Sequence, residues 1–134
     1  MPGASSTHQR GLRRTWAGCT PNRISLWVNP TASLAAHNYV VLGQLGGTAT
    51  TGNALFMYSL NGTWRIINTT GHNVIPTVPD VWTQVVVDVD WPTKTFDVTI
   101  GGTLVADDFA FRDTNTNSLG QLDLYNFSSA PGRW

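Results

Sequence analysis

Residues 85–102 read VVVDVDWPTKTFDVTIGG, which places Asp88, Asp90 and Asp97 around a single tryptophan, Trp91. Carboxylates that close together can do three kinds of work. Two of them can act as acid and base, or acid and nucleophile, on a glycosidic bond, provided one is held at a raised pKa. Several can begin a Ca²⁺ site, although calcium wants six to eight oxygens, commonly from closely spaced loop residues. Or they can form the polar face of a hairpin whose other face is core.

Most other catalytic chemistries find no support in the chain. It contains no Glu, which removes the commonest glycosidase pair. His8, His37 and His72 are scattered, with no two at metal-ligand spacing, and Cys19 stands alone, so neither a zinc set nor an internal disulfide is available. No nucleophile-elbow sequence surrounds any Ser. The glycine-rich GQLGG at 43–47 lacks the following helix and Lys of a phosphate-binding loop. These absences favour a non-enzymatic protein without a cofactor, with Ca²⁺ at the aspartates as the one metal left open.

Composition narrows the class further. Charged residues make up 12% of the chain, against roughly 25% in an average soluble domain. Lys94 is the only Lys. Surface helix formers are therefore scarce, and the surface is carried by Thr, Ser, Asn and Gly, as in secreted β proteins. Residues 1–79 hold five Arg and no acid, while 80–134 hold eight Asp against Lys94, Arg112 and Arg133; the two halves complement each other. No large basic face is present for nucleic acid, and no apolar run is long enough for a membrane helix. The N-terminus has no apolar stretch of the signal-peptide kind. Asn61-Gly-Thr, Asn68-Thr-Thr and Asn126-Phe-Ser are glycosylation sequons, meaningful only in a eukaryotic secretory host.

The elements that must position any site are short strands. Residues 1–22 are polar, punctuated by Gly and Pro and without a period, so a loose arm is expected there, followed by a single domain over 23–134. Strands are expected at ISLWV (24–28), NYVVLG (38–43), ALFMYSL (54–60) and TWRII (63–67), with Asn61-Gly62 as a hairpin turn. VIPTVPD (74–80) carries two prolines and can be at most an edge strand. WTQVVVDVD (82–90), KTFDVTI (94–100), TLVA (103–106), FAFR (109–112) and LGQLDLYNF (119–127) complete the set. Turn signals recur at about eight to twelve residues, which favours an all-β sandwich or barrel.

Alternation fixes the register of the aspartate hairpin. If the valines of 85–89 and Phe96, Val98 and Ile100 all face the core, Val89 lies opposite Phe96 and Asp88 opposite Asp97; a slip of two residues puts Asp90 there instead. Either way a like-charge cross-strand pair results. Solvent, a covering Lys, Arg or partner surface, or a bridging Ca²⁺ would compensate it.

From Trp82 onward the chain resembles the concanavalin A-like, laminin-G-like superfamily. The resemblance rests on Trp82 entering the valine-rich strand that ends at Asp88, on Lys94–Gly102 (KTFDVTIGG), and on Phe109–Arg112 and Leu119–Tyr125 as later strands. It covers residues 80–134 well and 24–67 loosely. It implies an antiparallel jelly-roll β-sandwich, here expected to be incomplete at the termini, as a piece of a larger polypeptide. It also implies an extracellular or cell-surface recognition module whose ligand is a carbohydrate or glycoprotein, bound on loops or on the concave sheet. An adhesion or structural domain without a small ligand, and an inactive remnant of a glycoside-active enzyme, are the alternatives. Sugar rings want an exposed aromatic plane and planar polar side chains. Tyr58, Trp64, His72 and Asn73 are the expected site, since a turn at 61–62 pairs 60 with 63 and 58 with 65 and brings Tyr58 close to Trp64. Core packing is the competing role for Tyr58 and Trp64. Trp91, in its turn, is either a ligand platform or a clamp on the hairpin. Trp27 and Trp82 are expected in the core.

Overall fold

The computed structural model describes residues 11–30, 37–48, 50–68 and 72–126; residues 1–10 of the expected arm, and 127–134 at the other end, lie outside them. The described residues form ten strands: β1 (Gly11–Cys19), β2 (Arg23–Val28), β3 (His37–Gly43), β4 (Asn53–Leu60), β5 (Thr63–Ile66), β6 (His72–Pro76), β7 (Thr83–Asp90), β8 (Thr95–Ile100), β9 (Thr103–Ala110) and β10 (Leu119–Tyr125). They make a six-stranded sheet in the order β1-β10-β3-β4-β5-β6 and a four-stranded sheet in the order β2-β7-β8-β9, with antiparallel pairing throughout. This is the all-β jelly-roll sandwich that the resemblance implies, one of the two architectures, sandwich or barrel, that the turn spacing favours. No helix among the described residues is long and apolar enough to cross a membrane.

The core is built from alternate residues of both sheets. Val40, Leu42, Leu55, Met57, Trp64 and Ile66 come from the larger sheet; Val28, Val85, Val87, Phe96, Val98 and Ile100 from the smaller; Phe111 and Leu119 close it. Side chains of a strand alternate between faces, so each contributing strand commits every second residue to this layer.

The turns follow their residues. Asn61 and Gly62 both take positive φ, 51° and 68°, as a tight two-residue hairpin demands, and Leu60 pairs with Thr63 and Tyr58 with Arg65. Pro76 ends β6, an edge strand of its sheet, where its missing N–H interrupts no ladder.

Two expectations are corrected. Within the supposed loose arm, residues 11–19 form β1, which pairs with β10 at the sheet edge. Its side chains are almost all exposed, so no hydrophobic period marked it; backbone pairing to β10, the Arg13–Asp123 ion pair and Trp16 against the core hold it. TLVA and FAFR, expected as separate strands, belong largely to one strand, β9, whose register shifts against β8. Asp108 within it has a φ of 49°, and the irregularity broke the sequence pattern.

Candidate functional site

The face of the six-stranded sheet turned away from the core carries a second apolar cluster of Tyr39, Val41, Phe56 and Tyr125, with Tyr58 and Ile67 packed against it. These residues alternate with the core residues Val40, Leu42, Leu55 and Met57 on the same strands. The ring of Tyr39 lies between two others, 4.6 Å and 10° from Tyr58 on one side and 4.6 Å and 13° from Tyr125 on the other. Phe56 meets Tyr39 and Tyr58 edge-on, with centroids 5.7 Å and 6.2 Å away. Adjacent antiparallel strands bring these rings together, β10 beside β3 beside β4. Tyr39, Phe56 and Tyr125 are buried and Tyr58 is half-buried, so Tyr58 is the member of the stack that presents its ring outward over a fixed floor.

Burial raises the phenol pKa of both Tyr39 and Tyr125 above the ordinary value. The neutral phenols are thus favoured in the fold. The stability this represents is fully present below the unfolded tyrosine value of about 10 and falls as pH rises above it. Denaturant midpoints are expected to drop between about pH 9 and about pH 11, with less of a drop in Tyr39→Phe; identical slopes in the two proteins would remove the effect from Tyr39.

Three arginines border the cluster. Arg65 on β5 is the register partner of Tyr58, so its side chain leaves the sheet on the same face. Its Nε is buried and has no hydrogen-bond partner among the described residues. Arg112 follows β9; its N–H donates to the Ala54 carbonyl at 3.0 Å, which delivers its guanidinium to 4.1 Å above the Phe56 ring. Burial holds that guanidinium below its usual pKa, with nearby Tyr125 and Tyr58 opposing the shift. Arg13 on β1 differs, since it forks onto Asp123 of β10 at 2.6 Å and 3.1 Å, and Gln121 donates to the same carboxylate at 2.7 Å.

The residues expected for the site fall in different places. Tyr58 belongs to the outward cluster. Positions 72 and 73 lie on β6 opposite Ile66 and Arg65, which brings their backbone beside the cluster; the side chains of His72 and Asn73 lie outside the described residues. Trp64 is corrected: it is 1% exposed, in the core. It neighbours Arg65 in sequence, and Arg65 shares a face with Tyr58, so Trp64 points the other way. Trp91 is not part of the cluster; it lies at the β7–β8 turn of the other sheet. Its Nε1 donates to the Pro21 carbonyl at 3.0 Å, its ring meets Phe111 edge-on at 5.4 Å, and Lys94 Nζ lies 5.5 Å above it. That is a clamp holding the hairpin to the connection between β1 and β2. Trp27 and Trp82, expected in the core, are 58% and 51% exposed. Trp27 alternates with Leu26 and Val28, which face inward, and Trp82 precedes β7.

Tyr39, Phe56, Tyr125, Arg65 and Arg112 escaped the sequence reading. For Arg65 the signal was present in the 58–65 pairing. For Tyr39 it was not, because both faces of NYVVLG are apolar.

The aspartate hairpin has the first of its two possible registers, with Asp88 opposite Asp97 and Val89 opposite Phe96. Arg23 on the neighbouring β2 is the register partner of Asp88 and forks onto it at 2.6 Å and 2.9 Å. Asp97 accepts the Asp108 N–H at 2.8 Å. The like-charge pair is therefore compensated from both flanking strands. The Arg23 guanidinium holds the Asp88 carboxyl below the usual carboxylate range, the opposite of what a general acid needs. Among the described residues no three His, Cys, Asp or Glu side chains gather to hold a metal ion.

No protein-family model matches the chain, and no curated protein matches it. Solved structures match in fold. Galectin-1-L2 of Dario rerio is 11% identical with a TM-score of 0.62, over 93% of this chain and 100% of that one. Sheep galectin-11, solved in complex with glycerol, is 13% identical with a TM-score of 0.60, over 87% of this chain and 90% of that one. The CBM40 module of Ruminococcus gnavus IT-sialidase, bound to alpha2,6 sialyllactose, is 14% identical with a TM-score of 0.51, over 95% and 88%. At these identities the likeness is one of fold.

Proposed function

We propose that this domain is a non-catalytic carbohydrate-binding module and that it binds sugar on the outward face of the six-stranded sheet, around Tyr58, Arg65, Ile67 and Arg112. The observation that carries this reading is the stacked Tyr58–Tyr39–Tyr125 row with guanidinium donors beside it. A sugar offers an apolar ring face and a rim of hydroxyls. A pre-set aromatic plane matches the first, and fixed planar donors match the second. The stack costs little further entropy on binding, because its buried members already hold Tyr58 in place. The fold shared with galectins and a sialidase CBM40 module supports the same ligand class. The charge-poor, Thr- and Asn-rich composition supports an extracellular or cell-surface setting.

The test is a glycan panel followed by calorimetry on the best ligand, with Tyr58→Ala as the comparison. Tyr58→Ala is expected to weaken binding by about tenfold or more, the scale of one lost stacking contact, while the unfolding midpoint moves little. Undiminished affinity in Tyr58→Ala, or no sugar bound at millimolar concentration, would contradict the reading.

A second reading, an adhesion domain that docks another protein, rests on Trp27 of β2 and on the connection between β6 and β7. Trp27, Val78, Val81 and Trp82 are exposed, the last three close together in the chain just before β7, the strand that pairs with the strand of Trp27. Paired Trp27→Ser and Trp82→Ser substitutions leave glycan binding intact if the first reading holds.

A further inference from the structure

Resting on that reading, we infer that the sugar taken at this face carries an anionic substituent, held by the guanidiniums of Arg65 and Arg112. The inference begins with how the described cations are paired. Arg13 is forked onto Asp123 and Arg23 onto Asp88. Lys94 donates to the Thr116 carbonyl and to Asn117. Arg14 stands exposed on β1. Arg65 and Arg112 differ in being half-buried on the outward face of the six-stranded sheet, with no carboxylate among the described residues paired to either. Both flank Tyr58, Arg65 as its cross-strand partner and Arg112 over the Phe56 ring whose centroid is 6.2 Å from that of Tyr58.

Neither guanidinium sits in open solvent. Arg65 is half-buried and its Nε is enclosed without an acceptor among the described residues; Arg112 is half-buried against an aromatic face. A buried N–H donor left unmade carries a free-energy cost, larger on a charged group. Two such cations on one face without a counter-charge also repel each other through a partly desolvated medium. An anionic group supplied by a ligand at the solvent-facing part of the two guanidiniums relieves that repulsion. A guanidinium presents donors in a planar fork that fits two oxygens of one group, so a carboxylate or sulfate on the sugar satisfies it better than a hydroxyl does. Acids of the chain do not compete for the place. Asp123, on the same face, is already taken by Arg13 and Gln121, and the hairpin aspartates lie on the other sheet.

The experiment compares lactose, sialyllactose and a sulfated lactose by calorimetry on the wild-type chain and on Arg65→Gln, Arg112→Gln and the double variant. The folded state of each variant is checked by near-UV circular dichroism. Both anionic sugars, or one of them, are expected to bind about tenfold or more tighter than lactose, and each single substitution to remove most of that preference. The double variant should bind all three sugars alike. Arg65→Lys should keep part of the preference, since it retains the charge and loses the fork. Raising salt from about 50 mM to about 500 mM should weaken the anionic sugars and leave lactose unchanged. Sialyllactose ahead of sulfated lactose identifies carboxylate as the substituent, and the reverse order identifies sulfate. Equal binding of lactose and both anionic sugars by the wild-type chain overturns the inference and leaves the carbohydrate reading standing. Binding of none of the three, with none on a wider panel, removes both.

Discussion

Replacing Trp64 with alanine destabilises the domain by about 3–5 kcal/mol, the range for deleting a buried large aromatic, and leaves the ligand site untouched in whatever fraction stays folded. Trp64 is among the largest fully buried side chains, at 1% exposure, and packs in the cluster joining the two sheets. The short β5 offers the core only Trp64 and Ile66, so little nearby can collapse into the space. The expected measurement is a large fall in the denaturant midpoint without change in the slope, with sugar affinity per folded molecule unaltered. A mild stability effect together with lost binding would return Trp64 to the ligand site.

Tyr39→Ala is the second large effect, and it reaches both stability and binding. Tyr39 is 4% exposed, stacked on Tyr58 and Tyr125 and edge-on to Phe56. Removing the ring costs about 3–5 kcal/mol for the buried aromatic, including the loss of its ring partners. It also takes away the support that holds Tyr58 flat, so affinity falls even at concentrations where the protein remains folded. Tyr39→Phe keeps the stack and should preserve affinity. If Tyr39→Ala binds sugar as the wild type does, Tyr58 needs no floor and the stacked row is a packing feature only.

These two residues also mark where the sequence was legible. The β7–β8 hairpin could be registered in advance because its faces differ in kind, valines and Phe96 on one side, aspartates and threonines on the other. The Asn61-Gly62 turn fixed 58 opposite 65 for a similar reason, since it admits one tight geometry. Trp64 was misplaced by weighing residue type over alternation, and the same alternation assigns it to the core once Tyr58 and Arg65 share a face. Trp27 repeats the lesson, lying between two inward residues of β2 and therefore outside. Strand β3 gave no such handle. Tyr39 and Val41 are as apolar as Val40 and Leu42, so nothing local says which pair meets the other sheet, and the tyrosine row depends on three strands distant in sequence. Arg112 was beyond reach for a related reason, because its position is set by a backbone bond to Ala54 on β4. β1 was invisible because an exposed edge strand needs no apolar period.

The place of binding is the central claim, and an isotope-edited NMR titration of the labelled chain with lactose and with sialyllactose tests it most directly. Shifts confined to Tyr58, Arg65, Ile67, Arg112 and the neighbouring positions of β6, saturating at concentrations up to about 10 mM, are the predicted result. Shifts centred on Trp27 of β2 and on Trp82 just before β7, or on the Asp88–Asp97 hairpin, would contradict it.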